Sequence, residues 1–252
     1  MIFHIPHNST FIPPEIRDQF VLSDQDLAKE LLLMTDHMTS ELFEYARTKV
    51  DVVIESPVSR LVADVERFLN DEQEIMNKVG MGVIYKKTSC GNTLRRELSQ
   101  KEQKYLIDKY YMPHHIELNY YTEKILNEEP REAQIIDCHS FPSMPLKYEF
   151  DQDDKRPDIC IGTNYPDKEE LLLEYLRKYV EEKGYSVDIN KPFSGSIVPN
   201  EYFSDHRVKS LMIEVNRKLY MNEKIGKRSQ EFYKTRELIR EIVKRIRKFN
   251  FK

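Results

Sequence analysis

Short apolar runs recur along this chain, and four of them stop at a histidine or a glutamate. They are Met1-Ile-Phe-His-Ile-Pro-His7, Val50-Asp-Val-Val-Ile-Glu55, Ala133-Gln-Ile-Ile-Asp-Cys-His139, Pro157-Asp-Ile-Cys-Ile-Gly162, Tyr185-Ser-Val-Asp-Ile189 and Ser210-Leu-Met-Ile-Glu214. Near-continuous apolar runs of this length predict strands buried on both faces of a parallel sheet. Helical spacing fills the intervals. The pattern from Asp24 to Ala46 follows Ser23 as an N-cap, and Ser99-Gln-Lys-Glu102 is a capping box opening a long helix that Pro113 interrupts. Asp167 to Lys183 stops at Gly184, and Asn222 to Lys248 forms a closing helix. Strand and helix in alternation predict an α/β fold, a mostly parallel or mixed twisted sheet with helices on both faces. The segment from Phe68 to Leu98 is less periodic and holds three of the seven glycines, which suggests an insertion or flap near the sheet edge.

Length and charge narrow the class. A chain of 252 residues without a linker or repeat fits one domain over 1–252. Charged residues make up 33 % of the chain, but the signs are interleaved and the net charge is −4, which leaves no basic footprint for nucleic acid or an anionic membrane. Cys90, Cys138 and Cys160 are odd in number and lack CxxC spacing, so a reducing compartment is expected. No membrane-length apolar segment or leader-like pattern is present, and the expected location is cytoplasmic.

The polar residues that end the strands carry the candidate chemistry, because open α/β sheets bind ligands at the carboxyl ends of their strands. His7 and His139 are delivered there with small polar followers, and Glu214 with them. Imidazole and carboxylate with one open position are what a catalytic zinc requires. Asp137, two residues before His139 on the same strand face, suits a supporting hydrogen bond to a ligand imidazole. Spacing alone leaves Asp36, on an otherwise apolar helix face, and Glu55, at the end of the second strand, both open as third ligand. Arg60, Asp64 and Arg67 fall at i, i+4 and i+7, so a helix there would align two guanidinium groups as a clamp for an acidic substrate. Glu214 follows Leu211-Met-Ile213, and its apolar surroundings should raise its pKa towards that of a general base.

Together these motifs resemble the N-formylglutamate amidohydrolase family. The likeness runs through Pro6-His7-Asn8-Ser9, Thr35-Asp36, Ser59-Arg60…Asp64…Arg67, Tyr111-Met-Pro-His114-His115, Asp137-Cys-His139-Ser140, Arg156-Pro-Asp158-Ile-Cys-Ile-Gly162, Pro192-Phe-Ser-Gly195 and Ile213-Glu214-Val-Asn216-Arg217, in that order. The resemblance implies a carboxypeptidase-like α/β fold and zinc-dependent hydrolysis of an amide whose amine part is an acidic amino acid. It implies His7, Asp36 and His139 as metal ligands, Glu214 as base, and Arg60 and Arg67 as carboxylate binders, with Asp137 and Asp64 one layer behind. Asn8-Ser9 departs from the family's usual Ser-Gly, Glu66 stands where Asn is common before Arg67, and Ser194-Gly195-Ser196 replaces a more glycine-rich turn. These departures fall on the substrate pocket. The competing readings are a zinc amidase or carboxypeptidase acting on a peptide or cell-wall fragment, and a ligand-binding relative without catalysis.

Overall fold

A computed structural model describes residues 1–128 and 132–249. Six strands form the central sheet in the order β2-β1-β3-β6-β4-β5. These are β1 (Ile2–Ile5), β2 (Val52–Glu55), β3 (Ala133–Phe141), β4 (Ile159–Gly162), β5 (Val187–Ile189) and β6 (Val208–Asn216). β1, β2, β3 and β6 run parallel; β4 is antiparallel to β6, and β5 is parallel to β4. The mixed, mostly parallel sheet expected from the sequence is therefore present.

Alternation along the strands divides the two faces. Phe3, Ile5, Ile136, Cys138, Ile213 and Val215 pack into a core with α2 (Thr39–Glu44), α5 (Glu170–Glu182) and α6 (Phe232–Lys248). On the opposite face, Ile2, Ile135 and Val208 pack against Leu118 of α4 (Met112–Leu126). Further along that face the side chains turn polar, and the register pairs His4 with Asp137 and His139 with Glu214. The site thus begins where the apolar half of one sheet face ends.

Local differences from the sequence reading have physical causes. The expected helix from Asp24 to Ala46 is two, α1 (Asp24–Met34) and α2, with Met38 in the left-handed region at φ 63° between them. Asp36 lies in this break, its backbone N–H donating to the carbonyl of His7 instead of continuing a helix. Pro113 does not end its helix. Because proline offers no N–H to Lys109, the run from α3 (Gln100–Leu106) widens into a π-turn, Ile107–Tyr111, and continues as α4. Residues 57–70 form turns rather than a helix. The closing helix starts at Phe232, after a small hairpin of β7 (Met221–Asn222) and β8 (Lys227–Arg228).

The segment from Phe68 to Leu98 is a packed wall rather than a loose flap. Met81, Tyr85, Leu94 and Leu98 share a buried cluster with Leu61 and with Leu27 of α1. On the far side of the site, residues 192–198 cross the sheet face. Ile197 N–H donates to Asp137, and the carbonyl of Ile197 accepts from Ser210. Gly195 takes φ +83°, and Gly162 beneath it is required for clearance, since a Cβ there would stand 2.3 Å from the Gly195 carbonyl oxygen. No helix among the described residues is long and apolar enough to cross a membrane.

Candidate active site

A cavity of about 440 Å³ opens over the polar half of that sheet face. Its wall carries His7, Glu66, His139 and Glu214, together with Arg60 and Arg67. His7 follows β1, His139 stands on β3 and Glu214 on β6, so three adjacent strands deliver them to one place. Arg60, Asp64, Glu66 and Arg67 arrive from the turns after β2.

His7 is buried, and its Nε2 lies 2.8 Å from Asp64 Oδ1. A carboxylate only accepts, so Nε2 carries the proton and Nδ1 faces the cavity with its lone pair. That Nδ1 has no hydrogen-bond partner. It stands 3.7 Å from Glu66 Oε2 and 3.7 Å from Asp36 Oδ2. Glu66 Oε1 is in turn 3.1 Å from His139 Nε2. Donors about 2.1 Å from a tetrahedral ion stand roughly 3.4 Å apart, and the two oxygens of Glu66 lie near that distance from the two imidazoles.

Among the described residues, histidine, cysteine and acidic donors close to ligand distance in two groups. The first is His7, Glu66 and His139. The second, His4, Glu66 and Asp137, has His4 Nδ1 only 2.7 Å from Asp137 Oδ1 and His4 Nε2 2.7 Å from His114 Nε2. Those are hydrogen-bond lengths, and they tie Asp137 to the interior. The first group is the one with a buried nitrogen lacking a partner, and its two imidazoles and carboxylate could hold a metal ion.

Asp36 is brought to the site in a different setting. Its Oδ1 accepts from Arg217, and its Oδ2 accepts from Ser140 N–H and lies 3.1 Å from His139 Nδ1. Burial opposes its ionised form, but the hydrogen bond from His139 and the nearby His7 and Arg217 hold its carboxyl well below the usual range. Glu55 is not brought to the site. It is exposed and bonded to Asn8 and Ser40.

The charges around His139 are dense. Burial favours its neutral form, yet Glu66, Asp137 and Asp36 outweigh that and raise its pKa well above the ordinary value. Asp137, 2.9 Å from His139 Nε2, is itself held low against burial by His139 and His4. Burial pushes the Glu214 carboxyl up to about 8, with His139 acting against the shift, and its Oε2 has no partner. Arg60 donates from Nε and Nη2 to Asp64 Oδ2, while Arg67 donates from Nε to the Met81 carbonyl. Tyr85 also donates to Asp64, so one buried carboxylate anchors His7 and Arg60 together.

Sequence reasoning passed over Glu66 and His4 as members of the cluster. The signal for His4 was a polar residue inside a fully apolar four-residue strand. Glu66 gave none, since only the turn after β2 aims it at the histidines.

Comparison with known proteins decides the family. The sequence profile of the N-formylglutamate amidohydrolases matches residues 1–221. The chain belongs to that family. Membership supports an amidohydrolase, and so a hydrolase acting on a small molecule. The crystal structure of the N-formylglutamate amidohydrolase from Ralstonia eutropha JMP134 superimposes with a TM-score of 0.81 at 22 % identity, covering 97 % of this chain and 91 % of that one. The crystal structure of a gene product from Agrobacterium tumefaciens gives 0.63 at 16 % identity, covering 98 % and 91 %. At these identities the two structures speak for the shared fold. No curated protein sequence matches.

Proposed function

We propose that this family member is a metal-dependent amidohydrolase that cleaves an N-acyl acidic amino acid such as N-formylglutamate, with His7, Glu66 and His139 holding a zinc ion. The observation that carries the reading is one juxtaposition. A buried imidazole nitrogen and a buried carboxylate oxygen, His7 Nδ1 and Glu214 Oε2, both lack partners and both face a cavity walled by Arg60 and Arg67.

When bound, the ion would polarise the amide carbonyl and lower the pKa of water beside it from 15.7 towards about 7. Glu214 takes a proton from the attacking water and passes it to the leaving amine. A group with a pKa of about 8 exchanges protons readily near neutrality, as that task needs. Arg60 and Arg67, both held against Asp64, present their remaining N–H groups to a substrate carboxylate and fix the amide relative to Glu214. Asp36 steadies His139 through Nδ1 and Asp64 steadies His7 through Nε2, the outer contacts that orient ligand imidazoles.

The test is elemental mass spectrometry of the purified chain beside hydrolysis of N-formyl-L-glutamate. About one zinc per chain and metal-dependent release of formate are expected. A chain that takes up no divalent metal after zinc is supplied and excess removed overturns the reading.

A further inference from the structure

We propose that the acyl group of the natural substrate is apolar and larger than formyl, and that it seats against Phe150, Phe193 and Phe203. The inference rests on the amidohydrolase reading of the cavity and extends it to the other end of the substrate.

The strand order sets the arrangement. Arg60 and Arg67 follow β2, at one side of β1 and β3, which deliver His7 and His139. Phe193 follows β5, on the far side of Glu214, and Phe203, which comes after the 192–198 crossing, is tied by its carbonyl to Tyr165 beyond β4. A substrate whose carboxylate meets the arginines and whose amide lies by Glu214 therefore points its acyl group towards the phenylalanines.

Phe150 and Phe203 line the same cavity yet are 62 % and 54 % exposed. Large apolar side chains left half-open beside a polar centre mark a surface that a ligand covers. The surface is held in place. Phe193 packs edge-on to Phe141 at 5.7 Å, and the Arg156 guanidinium lies over both rings. Arg156 also donates to the Pro142 carbonyl, which anchors the loop that carries Phe150. Tyr165 donates to the Phe203 carbonyl at 2.8 Å. A cavity of about 440 Å³ falls in the range of roughly 300–1,000 Å³ that encloses larger ligands.

Hydrolysis of such a substrate breaks the C–N bond. The oxygen of water goes to the acyl carbon, giving a carboxylate, and a proton goes to the amine through Glu214.

The experiment is a series of N-acyl-L-glutamates carrying formyl, acetyl, butanoyl, hexanoyl and benzoyl groups. Kd is measured by calorimetry on the zinc-supplied Glu214→Gln protein, and kcat/KM on the wild type. Each buried methylene should tighten binding roughly threefold to fourfold. Phe150→Ala and Phe203→Ala, checked by thermal melting, should each lower the hexanoyl-to-formyl affinity ratio several-fold. Affinity that is flat or falls with acyl length, or a ratio unchanged in both variants, overturns the inference. Brisk hydrolysis of the formyl compound with flat affinities would do so while leaving the amidohydrolase reading intact. Length-dependent binding without hydrolysis of any member would do the reverse. A protein that binds no member of the series contradicts both.

Discussion

His7 donates its Nε2 proton to Asp64 at 2.8 Å, and this one contact decides which ring nitrogen meets the cavity. The same carboxylate accepts from Arg60 and Tyr85, and its pKa is held well below the usual range despite burial by Arg67, His7 and Arg60. Asp64→Asn should therefore act on two properties together. Zinc affinity should fall by about 10–100-fold, and KM should rise as Arg60 loses its anchor. Competition with a chromophoric chelator, read beside steady-state kinetics, measures both; a loss in one alone would separate the two supports.

Glu66 and Asp36 make opposite predictions. Glu66→Gln should abolish stoichiometric zinc, because an amide oxygen is a poor replacement for a ligand carboxylate. Asp36→Asn should retain the metal at an affinity reduced by about 10–100-fold. Zinc-to-protein ratios after extensive dialysis distinguish the pair, and the reversed pattern would make Asp36 the ligand.

Glu214→Gln keeps the shape of the site while removing its proton acceptor. The expected result is a loss of about 10²–10⁴-fold in kcat with zinc still bound. Comparable turnover in that variant would take Glu214 out of the reaction.

Arg67 donates from Nε to the Met81 carbonyl and lines the cavity. Arg67→Ala should raise KM for an acidic substrate about 10–100-fold, as expected for a charge-assisted hydrogen bond of about 1.5–3 kcal/mol. An uncharged amide such as an N-acyl glutamine should feel the change less, and equal losses on both substrates would count against the clamp.

Away from the site, Asp51 takes two hydrogen bonds from Arg247 of α6, at 2.8 and 2.7 Å, and one from Thr48 N–H. Burial works against its charge, but these contacts lower its pKa below the ordinary value. A depressed acid stabilises the fold above its unfolded pKa of about 3.9, and that contribution fades as pH falls through the folded value. Urea unfolding should show wild type above Asp51→Asn by up to about 1 kcal/mol at pH 6 and a smaller gap at pH 3. An equal gap at both pH values would mean that the charge of Asp51 contributes little.

The strands could be read from the sequence because each is a run of apolar residues too short for a helix, and the sheet buried them in that role. His7, His139 and Glu214 were legible for the same reason, each being the residue at which a run turns polar. Asp36 was placed on a helix because its neighbours keep helical spacing. The chain breaks there instead, since the His7 carbonyl and Arg217 offer stronger partners than another turn of helix. Arg60, Asp64 and Arg67 do converge, but through irregular turns whose geometry no periodicity encodes. Glu66 follows the same rule: its role depends on a fold of the loop and not on any pattern.

Gly162 gives the cavity one further property. Its missing methyl group lets the Gly195 carbonyl lie against the sheet, and that contact sits on the aromatic side, beyond β6 from the two histidines. A small side chain at position 162 would meet that carbonyl and Met212, and shifting the 192–198 crossing would reach Asp137, which accepts from Ile197 N–H and lies beside His139. A single hydrogen atom in one strand thus lets the cavity's far wall and the bed of its histidines share one support, so the two halves are set together.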